Sequence, residues 1–144
     1  MEMQAIGFVK NGINDVHKHD WDQVESTIKV LPELAQGLNG LETFSHAEVY
    51  FHLDQASFDL ETDLVGRPRR KLENPLVGVF ARRTNHRPNG IGMTIVKILS
   101  VDQNILLVKG LDAVDGTPVL DIKPHIPKGK QGEVHLPEWA KRRD

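Results

Sequence analysis

Met93-Thr94-Ile95-Val96-Lys97-Ile98-Leu99-Ser100-Val101-Asp102-Gln103-Asn104-Ile105-Leu106-Leu107-Val108 is a pair of apolar runs on either side of a polar triplet. Asp102-Gln103-Asn104 reads as a three-residue hairpin turn, with Met93 to Val101 as one strand and Ile105 to Val108 as its return. Ile95 with Ile98 and Val96 with Leu99 do not alternate cleanly, which predicts a strand that is buried on both faces or bulged.

Upstream, Val77-Gly78-Val79-Phe80-Ala81 is apolar or glycine throughout and reads as a buried strand. Its continuation, Arg82-Arg83-Thr84-Asn85-His86-Arg87-Pro88-Asn89-Gly90-Ile91-Gly92, holds three arginines, a turn signal and two glycines around one isoleucine. Glycine admits a close approach to the main chain, and Pro88 restrains both itself and Arg87. A stiff, cation-rich loop of this kind can hold an anionic or planar polar ligand; an ordinary solvated turn fits the same pattern. Further upstream, Asp54 to Asn74 is long, charged and without periodicity, as functional or mobile loops are.

The remaining segments are short. Met3 to Lys10 reads as a strand ending in the Asn11-Gly12 turn, and Ser26 to Leu31 as a second strand with Ile28 and Val30 on one face. Pro32 opens a short helix with Leu34, Ala35 and Leu38 at helical spacing, and Gly40 stops it. Phe44 to Leu53 is a strand with Val49 and Phe51 on one face and Tyr50 and His52 on the other. Downstream, Asp115-Gly116-Thr117-Pro118 is a turn between apolar runs, and Pro137 to Arg142 makes a terminal helical turn anchored by Trp139. About six short strands and one short helix predict a mainly β, small single-domain β-barrel, closed or nearly so.

Composition narrows the function classes. The 144 residues suit one domain, 39% hydrophobic and 26% charged, as in a soluble globular protein. Cysteine is absent, which excludes disulfides, thiolate zinc sites and cysteine nucleophiles and fits a reducing compartment. The N-terminus does not read as a signal peptide and no apolar run approaches a membrane span, so the expectation is a cytoplasmic protein. Net charge is -2, yet seven of the 18 basic residues fall between Arg67 and Arg87, opposed by Glu73 alone. A basic patch on a near-neutral chain is the footprint of a phosphate-backbone contact; pairing with the acidic group Asp54, Asp59, Glu61 and Asp63 is the alternative. His17-Lys18-His19-Asp20 is a weak metal-ligand pattern, and no His-Glu-x-x-His spacing accompanies it. The expectation is no metal.

Two long motifs in order, Phe80-Ala81-Arg82-Arg83 through Gly92 and Asp115-Gly116-Thr117-Pro118-Val119-Leu120-Asp121-Ile122-Lys123-Pro124, resemble the TsaA-like (TrmO) family. Ile6-Gly7 and Gly40-Leu41-Glu42-Thr43-Phe44-Ser45-His46 resemble its N-terminal half, so the likeness spans about Ile6 to Pro127. The resemblance implies one domain over residues 1–144, with a core near 6–127 and a short tail from 128. It implies a β-barrel, non-Rossmann methyltransferase using S-adenosylmethionine, working as a homodimer with the cofactor near the subunit interface. The implied reaction methylates the exocyclic amine nitrogen of threonylcarbamoyl-adenosine beside the tRNA anticodon.

Matching motif positions, the resemblance places the cofactor on His52, Leu53, Arg83, Met93, Ala113, Val114, Asp115 and Gly116. Asp115 and His52 are the candidate proton acceptors. Arg67, Arg69, Arg70, Arg82 and Arg87 are the candidates for holding RNA phosphates. The chain departs from the family pattern at Arg82, usually threonine, and at Gly90, usually proline, and the family's N-terminal Pro-Arg-Gln loop has no clear match. A non-catalytic barrel that binds S-adenosylmethionine or RNA, or a methyltransferase for another substrate, is the alternative.

Overall fold

A computed structural model describes residues 1–15, 19–128 and 134–141. His17 and Lys18 of the histidine-rich loop, and Arg142 at the C-terminus, lie outside the described residues. The chain divides into two compact units, Met1–Gln55 with Ile91–His125 and Ala56–Gly90 with Ile126–Asp144.

The first unit is a closed antiparallel barrel. Its strands are β1 (Gly7–Lys10), β2 (Glu25–Val30), β3 (His46–His52), β6 (Ile91–Asp102), β7 (Ile105–Lys109) and β8 (Pro118–Pro124). Around the barrel they run β1-β2-β7-β6-β3-β8 and back to β1. Alternation explains the strands directly. In β2, Ser26, Ile28 and Val30 are buried and their neighbours are not; in β3 the same holds for Ala47, Val49 and Phe51. Val9, Val96, Leu106, Val108 and Val119 complete the lining, and Leu111 and Ala113 from the β7–β8 connection pack onto the same cluster. Each full burial of such a side chain stabilises by about 1.5–3 kcal/mol.

Several sequence expectations change in detail. The β6–β7 hairpin turn has two residues, because Asp102 pairs with Ile105, and Gln103 takes a φ of 54° there. β6 is bulged, its register slipping between Ile98 and Ser100. The run after Pro32 is a 3-10 helix, Pro32–Leu38, and buries Leu38 alone. β1 begins at Gly7 rather than Met3.

The second unit carries the larger corrections. Val77–Ala81 is not a buried strand. β5 (Val77–Gly78) pairs with β4 (Val65–Gly66), and Val79–Ala81 then turns as a 3-10 helix that buries Val79 and leaves Phe80 80% exposed. Four apolar residues and a glycine here serve a two-residue ladder and a turn, so apolar content without alternation overstated the strand. The segment from Asp54 to Asn74 contains α1 (Leu60–Asp63), β4 and a 3-10 turn, Pro68–Arg70. Asp59 caps α1, its Oδ1 accepting from the Glu61 amide at 2.8 Å. The C-terminal turn is α2 (Glu138–Lys141).

Gly92 has a packing reason. A Cβ at that position would lie 2.6 Å from Cε2 of Phe51, the residue paired with it across β3 and β6. The glycine that sequence alone offers to a ligand is occupied by a core ring. Gly92→Ala therefore overpacks the barrel and costs about 1–3 kcal/mol. Thermal unfolding of Gly92→Ala, with and without Phe51→Leu, checks this: the smaller side chain recovers part of the loss.

Candidate functional site on the barrel rim and an arginine cleft

The strand registers put the ends of β1, β7 and β3 and the starts of β2, β6 and β8 on one rim of the barrel. Seven of the eight expected cofactor positions belong to the strand ends and loops of this rim: His52, Leu53, Met93, Ala113, Val114, Asp115 and Gly116. His52 ends β3 opposite Ile91 and is exposed, whereas Leu53 is half-buried against the core. Met93 is half-buried and pairs with Tyr50, whose hydroxyl donates to Glu48 at 2.8 Å.

The β7–β8 connection is locked to the β1–β2 turn. Asp115 Oδ1 accepts from the amides of Asn11 at 2.8 Å and Gly12 at 3.0 Å. Two backbone bonds run beside it, from the Asp115 amide to the Ile13 carbonyl and from the Gly116 amide to the Val9 carbonyl, each 2.7 Å. The Asn11 amide group donates to Ser26 Oγ at 3.0 Å and to the Ala113 carbonyl at 2.9 Å. Thr117 donates from Oγ1 to the Val114 carbonyl at 2.7 Å. Ala113 and Val114 are consequently buried, with those carbonyls engaged inside the protein. The Gly12 and Asn11 amides hold the Asp115 carboxyl below the usual aspartate range. Asn11 is the participant that sequence reading missed. Asn-Gly signals a turn, and only the fold supplies its long-range partners.

The expected RNA-binding arginines and Arg83 all lie in the second unit. A cleft of ≈ 790 Å³ there is lined by Arg67, Arg69, Arg70, Arg82 and Arg83, with Asp63, His86 and Trp139 among its other walls. The arginines are of two kinds. Arg67 donates to the Asn74 carbonyl at 2.5 Å, Arg82 to the Asp63 carbonyl at 2.7 Å, and Arg87, which is not part of the cleft lining, to the Arg82 carbonyl at 2.7 Å. These three brace the unit's backbone. Arg82 Nη1 also sits over Gly66, 2.7 Å from where a Cβ would be, and Arg82 Nε is buried without an acceptor among the described residues. Arg69, Arg70 and Arg83 are exposed instead, Arg69 with one longer bond, from Nη1 to the Trp139 carbonyl at 3.3 Å. Gly90 has a φ of 60°, which proline's ring cannot adopt. Among the described residues no group of three or more His, Cys, Asp or Glu side chains is placed to hold a metal ion, and no helix is long and apolar enough to cross a membrane.

Residues 16–130 match the family described as the tRNA-methyltransferase O N-terminal domain. The chain belongs to that family. It is 40% identical over 129 residues to a probable S-adenosyl-L-methionine-binding protein of Archaeoglobus fulgidus, covering 87% of this chain and 34% of the relative. It is 44% identical over 97 residues to the tRNA (adenine(37)-N6)-methyltransferase of Escherichia coli, covering 65% and 41%. The crystal structure of TrmO from Pseudomonas aeruginosa superposes with a TM-score of 0.72 at 29% identity, covering 94% of this chain and 60% of that one. The chain thus spans between about a third and three fifths of the length of these relatives.

Two predictions follow from this chemistry. A depressed carboxyl pKa in the fold means stability that is present above the unfolded value and lost as pH falls through the folded one. Asp115→Asn should lower Tm at neutral pH, and the gap to the wild type should close as pH falls below the ordinary aspartate value of 3.8. In the second unit, Arg82→Ala should lower Tm, because it strips a backbone brace, while Arg70→Ala should leave Tm nearly unchanged. Thermal melts of the two variants side by side measure this.

Proposed function

We propose that this chain transfers a methyl group from S-adenosylmethionine to the exocyclic amine nitrogen of an adenine in tRNA, specifically threonylcarbamoyl-adenosine beside the anticodon. The observation that carries the proposal is the gathering of His52, Leu53, Met93, Ala113, Val114, Asp115 and Gly116 on one barrel rim, in a chain of the tRNA-methyltransferase O family. The rim residues fit the cofactor chemically. Leu53 and Met93 offer half-buried apolar surface, and Asp115 keeps a carboxylate near a ligand whose sulfonium and ammonium are positive. Bound there, S-adenosylmethionine would supply an electrophilic methyl group.

The chain's own contribution is alignment and proton management. The latch between Asn11 and Asp115 stiffens two rim loops, so orientation costs little at the moment of reaction. The nitrogen loses a proton as it gains the methyl. Of the two candidate acceptors His52 suits this better, since the two amides on Asp115 Oδ1 weaken that carboxylate as a base. Asp115 acts by holding the loop. For the RNA, Arg69 and Arg70 are the phosphate-binding side chains, because they are exposed, Arg69 with only a long 3.3 Å bond to the Trp139 carbonyl. Arg67, Arg82 and Arg87 are instead part-buried on backbone carbonyls at 2.5 to 2.7 Å. Arg83, expected at the cofactor, lines the same cleft as Arg69 and Arg70.

A homodimer is part of the same proposal. Ile91 and Ile95 are 40% and 47% exposed on the outer row of β6, with half-buried Met93 between them, an apolar strip that a second copy would cover. With a tRNA substrate, the cytoplasm is the compartment this proposal expects.

The test is incubation with labelled S-adenosylmethionine and total tRNA, followed by nucleoside mass analysis. Label on threonylcarbamoyl-adenosine is the expected result; cofactor binding with no labelled nucleoside leaves a binding barrel instead. Reversing Arg69 and Arg70 to glutamate should raise KM for tRNA with little change in cofactor affinity. It should also flatten the salt dependence of tRNA binding by roughly one log-log unit per lost phosphate contact.

A further inference from the structure

The arginine cleft has an indole wall, and that wall comes from beyond the family match. Trp139 lies on α2, past residue 130, and lines the cleft together with Arg69, Arg70 and Arg83. Its side chain is neither fully buried nor free, being intermediate in exposure. Arg69 Nη1 donates to the Trp139 carbonyl at 3.3 Å, which ties α2 to the loop that carries the exposed guanidinium groups.

That loop is itself unusual. Arg69 and Arg70 have φ of 54° and 56°, two consecutive non-glycine residues in the left-handed region. Side chains other than glycine, asparagine and aspartate rarely take up this conformation, and a pair held there points to a site. The strain is supported by the Arg70 amide on the Arg67 carbonyl at 3.0 Å and the buried Asn74 side chain on the Pro68 carbonyl at 2.8 Å.

A cleft of ≈ 790 Å³ falls within the range of small-ligand sites, about 300–1,000 Å³. Among the described residues its charged lining is five arginines against the single carboxylate Asp63, which favours an anionic occupant. A half-exposed indole among them adds a flat apolar face. Anionic groups joined to a flat ring describe a nucleotide, and in a chain acting on RNA an unpaired one.

We propose that Trp139 is a stacking platform for an unpaired RNA base whose neighbouring phosphates lie on Arg69, Arg70 and Arg83. The inference rests on the tRNA reading and adds to it a base-contacting residue outside the family's matched segment. If Trp139 were only an anchor for α2, any side chain of apolar bulk would serve. Stacking requires a ring.

The experiment compares Trp139→Leu with Trp139→Phe in the full chain. Leu should raise KM for tRNA about tenfold, Phe should restore most of the loss, and S-adenosylmethionine affinity should not move in either. Equal KM values for Leu and Phe would overturn the proposal. A second measurement needs no turnover and no Trp139 variant. In a Trp21→Phe background, Trp139 is the sole indole, and a short single-stranded oligoribonucleotide should quench its emission whereas inorganic polyphosphate should not. Quenching by neither, or by both alike, counts against stacking. Absence of methylated nucleoside in the wild type defeats the methyltransferase reading separately, since oligoribonucleotide quenching is read without it.

Discussion

The carboxylate of Asp115 is the interaction on which the functional end of the barrel depends. Six antiparallel strands close a barrel by hydrogen bonding, but closure leaves the connections at each rim free to take many conformations. Two amides of the Asn11-Gly12 turn converge on one Asp115 oxygen, and backbone bonds from Asp115 and Gly116 run back to the first turn and β1. Leu111 and Ala113 then fall into the core, capping it from the same side. The loop that the family motif marks is rigid because it is simultaneously part of the core and part of the rim. A carboxylate engaged in this way is well suited to orientation and poorly suited to taking up a proton.

The same division of labour runs through the arginines. Guanidinium groups are attractive to phosphates and equally to backbone carbonyls, and a small unit with a two-stranded sheet has many carbonyls to satisfy. Arg67, Arg82 and Arg87 meet that need. Arg82 does so against Gly66, whose missing Cβ leaves room for the guanidinium. What remains exposed, Arg69, Arg70 and Arg83, is a smaller and better defined set than the charge run suggests. Its members share a cleft with Trp139, a pairing of cations and aromatic surface characteristic of RNA contacts.

Legibility followed the range of the interactions involved. β2 and β3 were plain because period-two alternation is a local property, and Ile28, Val30, Val49 and Phe51 are buried as the pattern requires. The bulge in β6 was foreshadowed by the broken alternation around Leu99. Val77–Ala81 misled because four apolar residues and a glycine carry no alternation to say which face is covered. Asp115 and Gly116 lie within a quoted motif, whereas Asn11 carried no signal beyond its turn, since its partners are Ser26, Ala113 and Asp115.

The sequence by itself determined the β class, the barrel architecture and the family, because alternation, turn chemistry and two ordered motifs are written in adjacent residues. Tertiary structure alone decided which of the marked residues are free to act. Gly92 is filled by Phe51, Asp115 is held by distant amides, and three arginines of the basic run are held by carbonyls. The physical reason is that a side chain's availability depends on what else satisfies its hydrogen bonds and fills its space. Those partners arrive from other parts of the chain only when it folds.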